Sequence, residues 1–199
     1  MNVARTVFAP FALCASLSLL IALGAAERPA ARSADAPKMV SAEKVIERVQ
    51  PAQPMRGLIV PVRGLSNADL SDNWGAARSE GRRHQGIDIM APHGAPVVAA
   101  ADGEIARLWD SELGGVTIYQ TDESGELIYY YAHLDARADD LQEGDRVRQG
   151  DVIGYVGATG NATTPHLHFE IQRVSDVVRW WRGDAINPYP YLASGQAPD

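Results

Sequence analysis

Cysteine is almost absent from this 199-residue chain, with Cys14 the sole example, which excludes an intrachain disulfide framework and any cysteine-based metal site. A basic charge balance is absent too. The formal charge is −7, and the small cluster Arg82-Arg83 falls short of the basic patch that nucleic acid or anionic lipid requires. No window reads as an amphipathic helix of globular length, and no internal repeat of useful period is present. What remains is 46 % hydrophobic and 22 % charged, the composition of a soluble globular protein with one ordinary core plus appendages.

The long apolar run is confined to the start, "MNVARTVFAPFALCASLSLLIALGAA". One early positive charge (Arg5), an apolar stretch and small residues ending at Ala26 fit an export signal cleaved around Ala25 or Ala26. Val7 to Ala26 is also long enough for an uncleaved anchor, although Pro10, Ser16 and Ser18 weaken that reading. Cys14 follows Phe-Ala-Leu, a poor lipoprotein processing site. The expected organisation is therefore a signal or anchor over 1–26, a tether over 27–55, a folded domain over 56–192 and a tail over 193–199. The domain is expected outside the cytoplasm, in the periplasm or cell envelope, touching membrane only through the N-terminal segment.

From Gly57 onward the texture is β. Short apolar or alternating runs such as "GLIVPV", "GVTIYQT", "ELIYYYAHL", "DVIGYVG" and "HLHFEIQRV" are separated by Gly, Pro, Asp and Asn. "GVTIYQ" and "ELIYYY" read as a hairpin turning through Ser124-Gly125. The fold class expected is all-β, mainly antiparallel, in a compact domain of half-barrel character.

Four of the five histidines fall in three short stretches. In "PHLHFEI", His166 and His168 sit at i and i+2 of a strand, on one face and about 7 Å apart. One can bind a metal while the other reaches what the metal holds. In "HQGID", His84 and Asp88 would be roughly 13 Å apart in a straight strand, so they share an ion only if the chain bends near Gly86. In "YYYAHLD", strict alternation places Tyr129 and Tyr131 on the face of His133, with Tyr130 and Ala132 opposite. Two histidines and an aspartate make a three-ligand set with a fourth position open, the arrangement of a catalytic zinc site; Mn²⁺, Fe²⁺ and Co²⁺ suit the same donors. His93, in "APHGAPV", reads as a loop residue without chemistry.

In order, His84-x-Gly86-x-Asp88, Tyr131-Ala132-His133-Leu134 and His166-x-His168 resemble the M23 (LytM/lysostaphin-type) zinc peptidases. "APHGAPVVAAADGEI", "GDRVRQGDVIGYVGATGNATTPHLHFE" and "NPYPYL" are similar to that family as well, so that the resemblance runs from about Leu58 to Leu192. It implies one Zn²⁺ per chain held by His84, Asp88 and His168, with His133 and His166 as the catalytic pair beside it. It also implies hydrolysis of peptide bonds in peptidoglycan, with peptidoglycan peptides as partners and a monomeric enzyme. For a Gram-negative-type host the implied bond is D-Ala–meso-diaminopimelate. No H-E-x-x-H glutamate is present, so a histidine, His166, is the expected general base, with His133 steadying the oxyanion or sharing the proton.

The chain departs from some members in having no tyrosine between Arg56 and His84; Arg78 is the candidate substitute near the oxyanion. Trp180 and Trp181 could rim the groove or pack on the core. Two other functions compete. A LytM-type regulator that activates cell-wall amidases would lack metal-binding side chains, whereas all five residues are here. "VVAAADGEI…GDRVRQGDVIGYVG" also looks like a biotinyl or lipoyl carrier, but the two lysines, Lys38 and Lys44, lie in the tether and leave no cofactor-bearing hairpin tip.

Overall fold

The computed structural model describes residues 57–174 and 183–198. The segments read above as export signal and tether, and Trp180-Trp181, lie outside the described residues. Among those residues the strands are β1 (Ile87–Met90), β2 (Pro96–Val98), β3 (Gly103–Ser111), β4 (Gly115–Asp122), β5 (Leu127–Arg137), β6 (Arg146–Val147), β7 (Val152–Val156), β8 (His166–Arg173) and β9 (Asp184–Ile186). All pair antiparallel in one open sheet whose main path runs β1-β8-β5-β4-β3-β6. No helix of the described residues is long and apolar enough to cross a membrane.

The alternating runs become strands because each has one face to bury. Tyr129 and Tyr131 of β5, Phe169 and Ile171 of β8, Ile87 and Ile89 of β1, and Ile118 of β4 are fully enclosed. Their cross-strand partners lock the register: Tyr131 faces Phe169 and Tyr129 faces Ile171, while Ile87 also faces Phe169 from the other side. Full burial of such side chains stabilises by about 1.5–3 kcal/mol each, and the register fixes what lies on the opposite face.

The expected hairpin is present. β4 and β5 are joined through Ser124-Gly125, with Gly125 at φ 75°, a conformation glycine adopts without steric cost. "GLIVPV" does not form a strand; Val62 makes one isolated bridge to Val97, because Pro61 has no N–H to extend a ladder. "NPYPYL" ends in a short helix, α1 (Tyr189–Ser194), closed by Gly195 at φ 68°.

β8 organises the molecule. One edge pairs with β5 over Ala132↔His168 to Leu127↔Arg173; the other takes β1 first and β9 after it. β5 is longer than its partner strand and carries one extra residue between Tyr131 and Leu134, opposite Ile118 and Val116. Past that bulge it leaves β8 and pairs with β7, Leu134 facing Val156. His133 stands at this fork, at φ 62°.

Candidate metal centre

Three side chains converge where β1 crosses the start of β8. Asp88 and His168 are direct cross-strand partners. His84 arrives from the loop before β1. Its Nε2 lies 2.9 Å from His168 Nδ1 and 3.0 Å from Asp88 Oδ1, and Asp88 Oδ1 lies 3.0 Å from His168 Nδ1. Gly86 permits this approach, though not by a left-handed bend: a β-carbon there would sit 2.4 Å from the Phe169 carbonyl oxygen. Only glycine lets the chain turn that tightly against β8.

The protons on the two rings are fixed by their other nitrogens. His84 Nδ1 is 2.9 Å from the Asn73 carbonyl and must donate to it, since a carbonyl only accepts. His168 Nε2 likewise donates to Glu170 Oε1 at 2.9 Å. The remaining ring nitrogens of the neutral tautomers, His84 Nε2 and His168 Nδ1, therefore present lone pairs beside a carboxylate oxygen. Three electron-rich atoms at such separations repel unless a positive charge sits among them. Ligands about 2.0–2.1 Å from a tetrahedral ion stand about 3.3 Å apart, close to the edges of this triangle. The residues fit a zinc ion, and His84, Asp88 and His168 could hold one.

The charge state of the centre agrees with that need. Burial alone would raise the Asp88 carboxyl, but its contacts with His168, His84 and Arg78 outweigh it and hold the group well below the usual carboxylate range. Burial would likewise depress His168, yet the Asp88 and Glu170 carboxylates hold it up at about 9. At neutral pH a proton occupies the place that a cation would take.

His133 and His166 flank this group. Their ring centroids are 4.9 Å apart, and His166 Nε2 is 3.6 Å from Asp88 Oδ1. His133 Nδ1 donates to the Thr159 carbonyl at 2.9 Å and His166 Nδ1 to the Thr164 carbonyl at 2.8 Å, leaving both Nε2 atoms free for the groove. Burial, with the neighbouring His168 and His166 charges, pushes His133 down to about 4, so it is neutral at physiological pH.

The bulge corrects the alternation expected for β5. Tyr129 and Tyr131 point into the core, whereas His133 shares the groove with Tyr130 and Ala132. One extra residue re-aims every side chain beyond it. Thr159 pins the distortion: its hydroxyl donates to the Leu134 carbonyl and accepts from Val116 N–H, while its carbonyl accepts from His133 Nδ1–H.

The centre lies in a groove of about 840 Å³. Arg78 lines it and forms an ion pair with Asp88 Oδ2, the oxygen turned away from the histidines. His93 is outside the groove, 3.2 Å from Asp135 on the surface. Asn73, Thr159 and Glu170 escaped the sequence reading. Asn73 is a clamp, with its carbonyl on His84 and its side-chain oxygen accepting from Asp88 N–H at 3.0 Å. Glu170 had a legible signal, since it follows His168 by two on the same strand face.

Comparison with known proteins gives the family of the domain. The profile of Peptidase family M23 matches residues 82–188. The chain is 36 % identical over 115 residues to the glycyl-glycine endopeptidase ALE-1 of Staphylococcus capitis, covering 57 % of this chain and 30 % of that protein. It is 43 % identical over 90 residues to the DD-carboxypeptidase/endopeptidase Mpg of Neisseria meningitidis, covering 45 % of this chain and 20 % of that protein. The chain thus spans under a third of the length of these relatives. The catalytic domain of lysostaphin from Staphylococcus simulans superposes with a TM-score of 0.55 at 30 % identity, over 63 % of this chain and 94 % of that domain.

Proposed function

Because the chain belongs to peptidase family M23, we propose that it is a zinc-dependent endopeptidase of bacterial peptidoglycan, working in the periplasm or cell envelope. The observation that carries this reading is the triangle of two imidazole lone pairs and one carboxylate oxygen with 2.9–3.0 Å edges. The relatives' names divide among glycyl-glycine, DD and L-Ala–D-Glu bonds. The higher identity to the DD-type protein supports the D-Ala–meso-diaminopimelate cross-link as the bond cut.

In this reading His84 Nε2, Asp88 Oδ1 and His168 Nδ1 are the ligands. When bound, zinc supplies Lewis acidity for the scissile carbonyl and lowers the pKa of water. Asn73 and Glu170 hold the ligand rings in the tautomers that ligation needs. His166 is the general base: with Nδ1–H engaged on Thr164, its Nε2 lone pair takes the proton of the attacking water. His133 also begins as an acceptor at Nε2, because its proton is committed to Thr159. It can donate to a developing oxyanion only after gaining a second proton, so the two histidines share one mobile proton between them. The intact set of five side chains disfavours a non-catalytic amidase activator.

The test is digestion of purified sacculi by the full chain, with products identified by mass spectrometry. Release of cross-link cleavage products that a chelator stops and Zn²⁺ restores is expected. A product pattern indifferent to chelation would sink the reading.

A further inference from the structure

The groove carries a charge opposite to that of the chain. Its charged lining is Arg78, Arg82 and Arg83 against Asp88 and Glu170, in a protein of formal charge −7. Both carboxylates are spent on the histidines, and Arg78 on Asp88. Arg82 and Arg83 are different. Arg82 donates to Ser79 Oγ at 3.1 Å and Arg83 to the Gly75 carbonyl at 3.1 Å. Neither has a carboxylate partner among the described residues. Both are exposed, and a guanidinium keeps several further donors in a planar fork suited to a carboxylate.

Their backbone is well held. Residues 75–84 form a tight turn closed by Gly75 N–H to the His84 carbonyl, His84 N–H to the Ala76 carbonyl and Arg78 N–H to the Arg82 carbonyl, each 2.9 Å, with an Ala77↔Arg83 bridge. This turn ends in the ligand His84. The backbone of both arginines is therefore held by the same hydrogen bonds that place the imidazole, and their side chains line the groove that holds the centre.

We infer that Arg82 and Arg83 form a cationic subsite that anchors a free carboxylate of the substrate peptide beside the scissile bond. The inference rests on the peptidoglycan reading above. Stem peptides offer three such groups: the α-carboxylate of the D-glutamate residue, the unlinked carboxylate of diaminopimelate and the C-terminal carboxylate of D-alanine. Polyglycine bridges offer none along their length, so the subsite selects acidic stems over neutral bridges.

The test uses a fluorescent cross-linked muropeptide in four forms: unmodified, amidated at the glutamate carboxylate, amidated at the diaminopimelate carboxylate, and amidated at the terminal D-alanine carboxylate. Binding is read by anisotropy with the zinc-loaded His166→Ala full chain at low salt, and kcat/KM with wild type. Binding of the unmodified form about tenfold tighter than one of the amidated forms is expected, since a charged hydrogen bond is replaced by a neutral one, and the weakened form names the carboxylate. Adding Arg82→Gln and Arg83→Gln should bring that ratio near one, with the loss appearing in KM, and Arg82→Lys should retain part of it. Equal binding of all four forms, or a preference that survives the double substitution, overturns the subsite. A binding preference without turnover supports the subsite and counts against the endopeptidase reading instead.

Discussion

The imidazoles of His133 and His166 stand 4.9 Å apart, although one sits in a bulge of β5 and the other opens β8 at a point where those strands no longer pair. Both rings are oriented by carbonyls of a single loop, those of Thr159 and Thr164. The loop between β7 and β8 thus sets the proton-handling half of the groove, independently of the three side chains that would hold metal.

That independence predicts a separation of phenotypes. His166→Ala should keep stoichiometric zinc and lose about 10²–10⁴-fold in kcat, the range for removal of a general base. Metal analysis alongside turnover decides it; loss of zinc would make His166 a ligand. Asp88→Ala, in contrast, should lose both metal and activity.

Glu170 fixes the His168 tautomer and is itself held by Gln172 at 2.7 Å. Glu170→Gln should weaken zinc binding about 10–100-fold, as measured by competition with a chromophoric chelator. An unchanged affinity would show that the 2.9 Å contact to His168 plays no part in ligation.

Proton and metal compete for His168. Its pKa is raised from 6.5 to about 9 in the metal-free protein, so zinc must displace a proton below that pH. Zinc affinity should rise about tenfold per pH unit from 7 to 9, with close to one proton released per ion in calorimetry across buffers. The sign for stability is opposite. A folded-state pKa above the unfolded value stabilises the metal-free protein below pH 6.5, and that contribution is lost as pH rises through about 9. Its Tm should fall over this window while that of the zinc-loaded protein does not. A flat zinc affinity from pH 7 to 9 would refute the assignment.

Gly86→Ala places a methyl group 2.4 Å from the Phe169 carbonyl oxygen, a backbone atom that cannot swing aside. Destabilisation of about 1–3 kcal/mol is expected, seen as a lower Tm, together with weaker metal binding as His84 is pushed off Asp88. Wild-type stability would mean that β1 can move away from β8 freely.

Much of this was legible because it is written in period two. His166 and His168 share a face, the hairpin turns at Gly125, and the apolar alternation of β8 gives its register. Two features were not. The His133 bulge breaks the alternation without any local mark in "YYYAHLD", because the extra residue is specified by Thr159, which is distant in sequence. Asn73 is invisible for the same kind of reason: its role lies in a carbonyl and an amide oxygen that meet His84 and Asp88 only after the 73–84 segment has folded back. The bend at Gly86 was legible, but the clearance it needs against the Phe169 carbonyl was not, because that contact forms only when β1 pairs with β8.

Asp88 faces His168 across β1 and β8, with Ile87 against Phe169 and Ile89 against Leu167 in the same ladder. Sliding these strands by one position would carry the imidazole inward and turn Leu167 or Phe169 out to water. A chain that assembles its interior correctly has therefore already aligned its donors, and one that slips forfeits both at once. Metal content can accordingly serve as a gauge of how many molecules in a preparation have zipped up correctly.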